Sequence, residues 1–406
     1  MRRFNERWQY NCCDAIMIPR LSPARRGPVV AALGTAMTVS WASSYYIPAV
    51  LAAPMAHDLG LSPVWVFGAF SMALVVSAIV GPCAGARIDG TGGRGVLILS
   101  NLVFATGLVL LAIAHTPLVL FTGWAVIGLG MGIGLYEAGF ATLTAIYGKE
   151  ARAPITGITL IAGFASTVGW PLSGLMLATW GWREACLGWA LIHLCLALPL
   201  NAMLPHRMAA PHVAGQRATE LSRTSKWAMV LLALVFAATT FNATAMAAHL
   251  PGLLQHAGAS TAVAIAAGAL IGPAQVAARM FEFSLLRQFH PLSSARLAAV
   301  AHPVAAVTLV TFGGPAAFAF ALLHGAGNGI LTIVKGTLPL AVFGAAGYGQ
   351  RLGWLNAPAR ILQAAAPLAF GAALATWGLS AIWLAAGIGM AATVALVLLK
   401  HSNRPD

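Results

Sequence analysis

Residues 81–94 read GPCAGARIDGTGGR and separate two apolar runs, residues 64–84 and residues 96–114. Each run has roughly the 20 residues that a helix needs to cross a bilayer. The aspartate and the two arginines of the stretch carry charges that a hydrocarbon core rejects, and its glycines permit a tight turn with close backbone contact. The stretch therefore predicts a hairpin of two membrane helices, joined at the water interface by a polar hinge over residues 85–95.

The chain as a whole has the composition of a membrane protein. It is 59% hydrophobic and 8% charged, with a mean hydropathy of +0.82, whereas soluble domains carry about 25% charged residues. Its five cysteines have no paired spacing, so we expect neither a disulfide framework nor a metal site. No cofactor is expected either. Because no cluster of histidines and aspartates marks an interfacial active site, an enzyme is not expected.

Twelve apolar runs follow one another along the chain, and we name them α1 to α12 in chain order. They cover residues 29–53, 63–85, 95–115, 117–145, 153–179, 184–204, 227–253, 261–284, 293–313, 315–341, 352–376 and 379–400. The pattern predicts an N-terminal six-helix bundle over residues 27–204 and a C-terminal one over residues 227–400. Three polar segments complete the chain, namely a tail at residues 1–26, a central loop at residues 205–226 and a tail at residues 401–406.

Lysines and arginines are concentrated in alternate connections between these runs. If the N-terminus lies inside, 20 of the 23 fall in cytoplasmic segments, Lys335 and Arg360 fall inside helices, and only Arg183 falls outside. The positive-inside rule then predicts cytoplasmic termini. The net charge of +13 is explained by this topology and by anionic lipid, so no nucleic-acid partner is expected. The N-terminal tail has no apolar core of a secretory signal, and both Met1 and Met17 remain candidate starts.

The two halves of the chain share a pattern of glycine and proline. Three residues of the first half recur at a constant offset in the second half, namely Gly148, Gly157 and Pro171 as Gly344, Gly353 and Pro367. Parallel six-helix repeats of this kind occur in secondary transporters. The pattern indicates two pseudo-symmetric halves.

The connection between α2 and α3 contains Gly85, Asp89, Gly92 and Arg94, and this spacing resembles the signature loop of the major facilitator superfamily. The resemblance covers nearly the whole chain. It implies an all-α integral membrane fold of twelve transmembrane helices in two pseudo-symmetric six-helix bundles, with transport by alternating access. It also implies that Asp89 contacts the start of α11 and holds the cytoplasmic side closed, with Arg94 and Arg152 as its cationic neighbours. A helix N-terminus favours an anion, which agrees with that role.

Three charges lie within the predicted spans, at Glu137 in α4, Lys335 in α10 and Arg360 in α11. An unpaired charge inside a bilayer costs at least about 2.5–3.5 kcal/mol on insertion scales. Two interpretations remain open. The charges form a static structural pair, or they form a cytoplasmic gate whose salt bridges close when the path faces outward. In either case the path is net positive, which suits a small organic anion.

Polar residues at helical spacing predict that otherwise apolar helices each have one polar face that lines a water-filled path. In the family that the chain resembles, α1, α4, α7 and α10 line the central cavity, and α5 and α11 flank it. The candidate substrate-path residues are Tyr45, Tyr46, Asn242, His249, His324, Asn328, Thr332, Asn356 and Gln363. The alternatives are interfacial anchoring for the tyrosines and satisfied interhelical contacts for the histidines.

The sequence lacks a nucleotide-binding loop of the Gly-x4-Gly-Lys-Ser/Thr type, so ATP is not the expected driver. Protons are the expected coupling ion because Glu137, His249 and His324 can titrate. We expect secondary transport of a small solute by a monomer in a bacterial inner membrane, without an obligate protein partner. Efflux of a drug or of a metalloid such as arsenite remains an alternative. A membrane sensor without transport activity is an alternative of another class.

Overall fold

The computed structural model describes residues 26–205 and 223–399, which form helices and turns without a β-strand. Nine helical stretches of this described part are long and apolar enough to cross a membrane. Two of them, residues 117–180 and 348–398, have 64 and 51 residues, so each can cross twice. The alternative start at Met17, both tails except Arg26, and most of the central loop lie outside the described residues.

Together with α1, whose two helices are not among them, the nine stretches make twelve spans in the order that the sequence predicts. Their bounds are Arg26–Ser43 and Pro48–Asp58 for α1, Pro63–Thr91 for α2, Arg94–Ala112 for α3, Pro117–Gly134 and Tyr136–Tyr147 for α4, Arg152–Ala162 and Ala165–Trp180 for α5, Trp182–Ile192 with Leu198–Ala202 for α6, Arg223–His256 for α7, Thr261–Ser284 for α8, Pro291–Phe312 for α9, Ala317–Phe343 for α10, Tyr348–Trp377 for α11 and Ile382–Leu398 for α12. The predicted fold class, an all-α membrane protein, is confirmed.

Three helices of the N-terminal bundle are interrupted. The break in α1 precedes Pro48, whose ring removes a backbone donor. The break in α4 occurs at Leu135, which has an extended backbone with φ −92° and ψ −164°. The break in α5 occurs at Gly163 and Phe164. Breaks at membrane depth are tolerated where they are covered by protein or line a cavity, and Leu135 at the break in α4 is fully buried.

The sixth helix contains a π-turn at His193–Ala197, which inserts an extra residue. It carries the His193 ring into the N-terminal bundle, where Nε2 lies 2.7 Å from Ser43 Oγ and Nδ1 lies 2.9 Å from Asn101 Oδ1. Because Oδ1 can only accept, Nδ1 donates to it and Nε2 is left to accept from the Ser43 hydroxyl. This buried network joins α1, α3 and α6.

The connection between α2 and α3 is shorter than predicted. Instead of a hinge over residues 85–95, α2 continues to Thr91 and only Gly92 and Gly93 link it to α3. The predicted hinge is wrong because Ile88 is fully buried and keeps the end of α2 helical. Gly92 then turns the chain with φ +81°, which favours glycine.

The buried apolar residues form one core at one end of the molecule and two cores at the other. We call the end with the α2–α3, α4–α5, α8–α9 and α10–α11 connections the basic side. There, a single core combines both bundles, for example Phe140 and Ile155 with Val334 and Leu352. At the opposite side, the buried residues of each core come from one bundle alone. The bundles are therefore packed together at the basic side and have separate cores at the opposite side.

Glycines bring the backbones of α2 and α11 into direct contact at the basic side. A Cβ atom on Gly85 would lie 2.0 Å from the Gly349 carbonyl oxygen. One on Gly353 would lie 2.5 Å from Pro82 Cα. No side chain fits at such distances, so glycine is required for this close approach.

Candidate functional site

An ion pair joins α4 of the N-terminal bundle to α11 of the C-terminal bundle. Glu137 lies just after the break in α4, and Arg360 lies 223 positions later in α11. Arg360 Nη2 donates to both Glu137 carboxylate oxygens at 3.1 Å. The arginine side chain is 8% exposed and the glutamate 20%. A small cavity between α2, α4 and α11 is lined by both residues, together with Ser77 and Asn356.

Hydrogen bonds extend this ion pair to α1. Arg360 Nη1 donates to Gln363 Oε1 at 3.1 Å, and Gln363 Nε2 donates to the Tyr45 hydroxyl at 3.1 Å. The guanidinium carbon also lies 5.7 Å from the Trp41 ring centroid, within cation–π range. The C-terminal bundle thus contacts both α4 and α1 through neighbouring side chains of α11.

Lys335 is a half-buried cation beside this network. Its Nζ donates to Thr240 Oγ1 at 2.5 Å, and no carboxylate of the described residues lies within ion-pair distance of it. An ammonium group has three donors, so two of them can serve a ligand. Glu137, Lys335 and Arg360 together carry one net positive charge.

A second ion pair joins the bundles between α5 and α8. Arg152 Nη2 lies 3.1 Å from Glu282 Oε1, and its Nη1 donates to the Phe289 carbonyl at 2.7 Å. Glu282 is 1% exposed. One turn earlier in α8, Arg279 donates to the Thr159 carbonyl of α5 at 3.1 Å. The structure thus places the Arg152 guanidinium against α8.

Asp89 makes the contact with α11 that the family resemblance implies. Its Oδ1 and Oδ2 accept from the backbone N–H groups of Gly349 and Gln350 at 2.8 and 2.9 Å. These N–H groups belong to the first turn of α11, where the helix has no internal acceptor for them. Arg94 begins α3 on the same side and is half-buried. A role of Asp89 in gating stays a prediction.

Several predicted path residues contact neighbours within the C-terminal bundle. Asn242 Nδ2 donates to the Ala385 carbonyl at 2.9 Å, and His249 Nε2 donates to the Pro367 carbonyl at 2.7 Å. His324 Nδ1 lies 3.2 Å from His302 Nδ1.

Two further predicted residues bond to their own helix, Thr332 to the Asn328 carbonyl and Asn356 to the Leu352 carbonyl, each at 2.9 Å. The structure therefore brings together Tyr45, Glu137, Arg360 and Gln363. Tyr46 lies next to Tyr45, with ring centroids 5.3 Å apart. Binding of a solute by any of these residues stays a prediction.

Sequence reasoning does not place four buried polar residues in the interior. Arg279 and Glu282 fall at the predicted end of α8, although their three-residue spacing within an apolar run is a signal for one charged face. His193 and His302 carry no pattern that separates them from ordinary core residues. The free cysteines of the described part lie in α2 and α6, with Cys83 and Cys195 exposed and Cys186 buried. Within the same part, no group of three histidine, cysteine or acidic side chains could hold a metal ion.

Solved structures of transporters share this fold. The proton:xylose symporter XylE bound to 6-bromo-6-deoxy-D-glucose has a TM-score of 0.70 and 14% identity, over 92% of this chain and 95% of that one. The human organic anion transporter MFSD10 (TETRAN) has a TM-score of 0.65 and 17% identity, over 92% of this chain and 100% of that one. The transporter FucP in the outward conformation has a TM-score of 0.74 and 14% identity, over 92% of this chain and 99% of that one. At these identities the likeness shows the fold alone.

A relative is found among curated proteins, and a family model also matches. An uncharacterized 38 kDa protein in the 23S RNA operon of Thermoproteus tenax is 28% identical over 169 residues, which are 41% of this chain. The match spans 44% of that relative, less than half of its length. The model of the Major Facilitator Superfamily matches residues 32–318, more than half of the chain. The twelve-helix fold, the contact between Asp89 and α11 and this match agree: the chain belongs to the Major Facilitator Superfamily.

Proposed function

We propose that this protein is a transporter that moves a small organic anion across the membrane by alternating access, coupled to protons. The observation that carries the proposal is the Glu137–Arg360 ion pair, which crosses the two bundles at 3.1 Å beside Lys335. The moving units are the bundles over residues 27–204 and 227–400. Membership of the family supports a transporter rather than an enzyme.

The packing supports a state that is open at the opposite side. A core that unites both bundles at the basic side, with separate cores at the other, is what one end of an alternating-access cycle requires. The similarity to FucP, described in its outward conformation, agrees with this assignment. We place the basic side in the cytoplasm of a bacterial cell, with both termini inside, following the distribution of lysine and arginine.

The charges of the interior support an anionic solute. Within the described residues, Lys335 has donors without a partner, and Glu137 is the carboxylate that balances Arg360. Charges removed from water are stable there only when they are paired, so an anion that replaces or joins Glu137 stabilises both cations. MFSD10, which has the same fold, is an organic anion transporter, and this likeness supports the proposal at the level of the fold only.

Protonation of Glu137 supplies the coupling. A protonated carboxyl group no longer balances Arg360, which frees the guanidinium for the acid group of the solute. A proton and an anion therefore favour each other's binding, and this linkage is reciprocal. The proposal predicts that both move in the same direction.

Transport by the purified protein in proteoliposomes tests the proposal. An imposed pH gradient should drive accumulation of radiolabelled lactate, succinate or benzoate, with an internal pH dye reporting the proton. Glu137→Gln keeps the side-chain shape and should abolish accumulation while leaving solute exchange measurable. Lys335→Gln should abolish both.

If none of these acids is taken up, the anionic solute is wrong. If Glu137→Gln still accumulates solute with the same pH dependence, the proton site is elsewhere and His249 or His324 is the next candidate.

Reporter fusions test the proposed orientation. Fusions after Gly60, His115, His256 and Gly314 should report an outside location, and fusions after Gly92, Gly215 and Arg404 an inside one. The reason is the concentration of positive charge in alternate connections. An outside signal after Gly215 would contradict the twelve-span topology.

A further inference from the structure

The two walls that face each other across the centre of the molecule differ in chemistry. The C-terminal bundle supplies three interior cations, Arg279 on α8, Lys335 on α10 and Arg360 on α11. The N-terminal bundle supplies a group of four aromatic side chains, which we call the ring wall, consisting of Trp41, Tyr45, Tyr46 and Tyr136. Cations on one wall and rings on the other restrict which anion fits between them.

The ring wall is closely spaced and lies deep in the membrane. The Trp41 ring centroid lies 5.3 Å from that of Tyr45 and 5.0 Å from that of Tyr136. Trp41 is about 22 Å along α1 from its first residue, and Tyr136 is about 16 Å from the end of α4, at 1.5 Å per residue. These depths are far from the interfaces at which aromatic anchors occur. All four side chains are half-buried, so each keeps a free surface.

The ring wall meets one of the cations, Arg360, directly. Arg360 lies over the Trp41 ring, with 5.7 Å from its guanidinium carbon to the ring centroid. Trp41 Nε1 is buried and has no hydrogen-bond partner among the described residues. A buried N–H donor without an acceptor costs free energy, and a carboxylate oxygen between the two walls would supply that acceptor.

Arg279 is a buried cation whose hydrogen bonds within the described residues are made to neutral oxygens. Its guanidinium donates to the Thr159 carbonyl at 3.1 Å and to Gln275 Oε1 at 3.2 Å, and the residue is 5% exposed. Its Nε is buried without a partner among the described residues. Glu282, one turn later, is paired with Arg152. Arg279 therefore resembles Lys335, since each is held by neutral oxygens and lacks an ion pair within the described chain.

We propose that the transported anion is an aromatic acid. Its ring packs on the ring wall, and its acid groups bind the cations of the C-terminal wall, with Arg279 as a further anion-binding residue. This inference rests on the proposed function. Offset and edge-to-face ring contacts add to the burial of apolar area, so the site prefers an aromatic ring to a saturated ring of the same size and charge.

Binding to the purified full-length protein, measured by titration calorimetry, tests the inference. The probes are two matched pairs of acids: benzoate with cyclohexanecarboxylate, and phthalate with cyclohexane-1,2-dicarboxylate. Each aromatic acid should bind about tenfold more tightly than its saturated counterpart. Trp41→Leu should lower this ratio to about threefold, because three rings of the ring wall remain, and should leave the affinity for the saturated acid within about threefold.

Variants of the cationic wall separate charge from ring recognition. Arg279→Gln should weaken aromatic and saturated acids alike, by about tenfold, without changing their ratio. Arg279→Lys, which keeps the charge, should recover part of the loss and serves as the second variant if Arg279→Gln does not fold. Arg296→Gln is the matched control, because that arginine bonds to carbonyls at the end of α12, such as that of Leu396 at 3.0 Å, and should bind as the wild type does.

Three outcomes distinguish this inference from the proposed function. Equal affinity for aromatic and saturated acids, abolished by Lys335→Gln, overturns the aromatic acid and leaves the anion transporter in place. Absence of binding for all four acids contradicts the aromatic acid, and it contradicts the anion transporter as well if lactate and succinate are not taken up into proteoliposomes. An Arg279→Gln protein that is folded and binds like the wild type removes Arg279 from the site.

Discussion

Two interfaces between the bundles, which we call seams, close the basic side, one between α2 and α11 and the other between α5 and α8. They are built by different physical means. Between α2 and α11 the backbones touch, since a Cβ on Gly85 would lie 2.0 Å from the Gly349 carbonyl oxygen. Between α5 and α8 long side chains fill the gap, and Arg152 pairs with Glu282 at 3.1 Å. The first seam depends on shape and the second depends on charge. Substitutions at the two seams should therefore fail in different ways.

The seams also share a plan. Asp89 near the end of α2 contacts the first turn of α11, and Glu282 near the end of α8 contacts Arg152 at the start of α5. In both cases a carboxylate late in one helix meets the beginning of a helix in the other bundle. The comparison shows that one architectural contact can be made with backbone N–H groups or with a guanidinium. Three substitutions sharpen this contrast.

The largest effect is expected for Gly85→Ala. The added methyl group would overlap the backbone of α11, so the closed seam must separate. Because backbone cannot move aside as a side chain can, the cost exceeds the about 1–3 kcal/mol that is typical of overpacking. We expect loss of accumulation in the proteoliposome assay and increased labelling of a cysteine placed at Ile88, in a background without native cysteines. Gly90→Ala is the matched control, because no atom of another helix lies within 4 Å of the point that its methyl group would occupy. Normal transport by Gly85→Ala would show that backbone contact is not required.

A smaller effect is expected for Arg152→Gln, and a second substitution, Glu282→Gln, should reverse much of it. It leaves the buried Glu282 without its cation, and breaking a fully buried pair costs about 3–5 kcal/mol. Arg152 is itself 24% exposed, so water recovers part of that cost. We expect more labelling at the basic side and weaker transport. The double variant Arg152→Gln, Glu282→Gln should recover much of the loss, and a double variant worse than the single one would contradict a charge-based seam.

The smallest effect is expected for Asp89→Asn. The amide keeps the shape and one accepting oxygen but loses the charge that favours a helix N-terminus, which is worth about 0.3–1 kcal/mol. We expect partly impaired transport at a normal protein level, with modestly increased labelling of cysteines on the basic side. Unchanged transport would show that the α2–α3 connection acts only as a turn.

The fold could be predicted from the sequence because a bilayer sets the length of each span and leaves long apolar runs. The charged members of the site could be predicted for the same reason, since Glu137 and Arg360 interrupt such runs. Which of the two cations pairs with Glu137 could not be predicted, because helical periodicity gives the face of a residue but not the rotation of the helix against its neighbours. His324 lies on the predicted polar face of α10, yet that face meets His302 of α9.

Breaks in the helices and long side chains explain why the sequence does not reveal where the other charged residues point. Counting 3.6 residues per turn fails across a break, so the direction of Glu137 cannot be counted from the residues of α4 that precede Leu135. Arg279 lies near the predicted end of α8, where a charge is expected to belong to the connection. In the structure α8 runs to Ser284, and the long side chain reaches back to α5.

The π-turn of α6 affects where the helix can lose one residue without disturbing its packing. An extra residue in a helix ordinarily turns everything after it by about 100°, because an α-helix has 3.6 residues per turn. The turn at His193–Ala197 absorbs such a residue locally. Deletion of Leu196, which is 43% exposed, should therefore leave a regular helix with both ends still facing their partners. Deletion of Leu187, which is 45% exposed and lies before the turn, should rotate the first part of α6 against the rest. This short segment is where α6 tolerates a change of one residue in chain length.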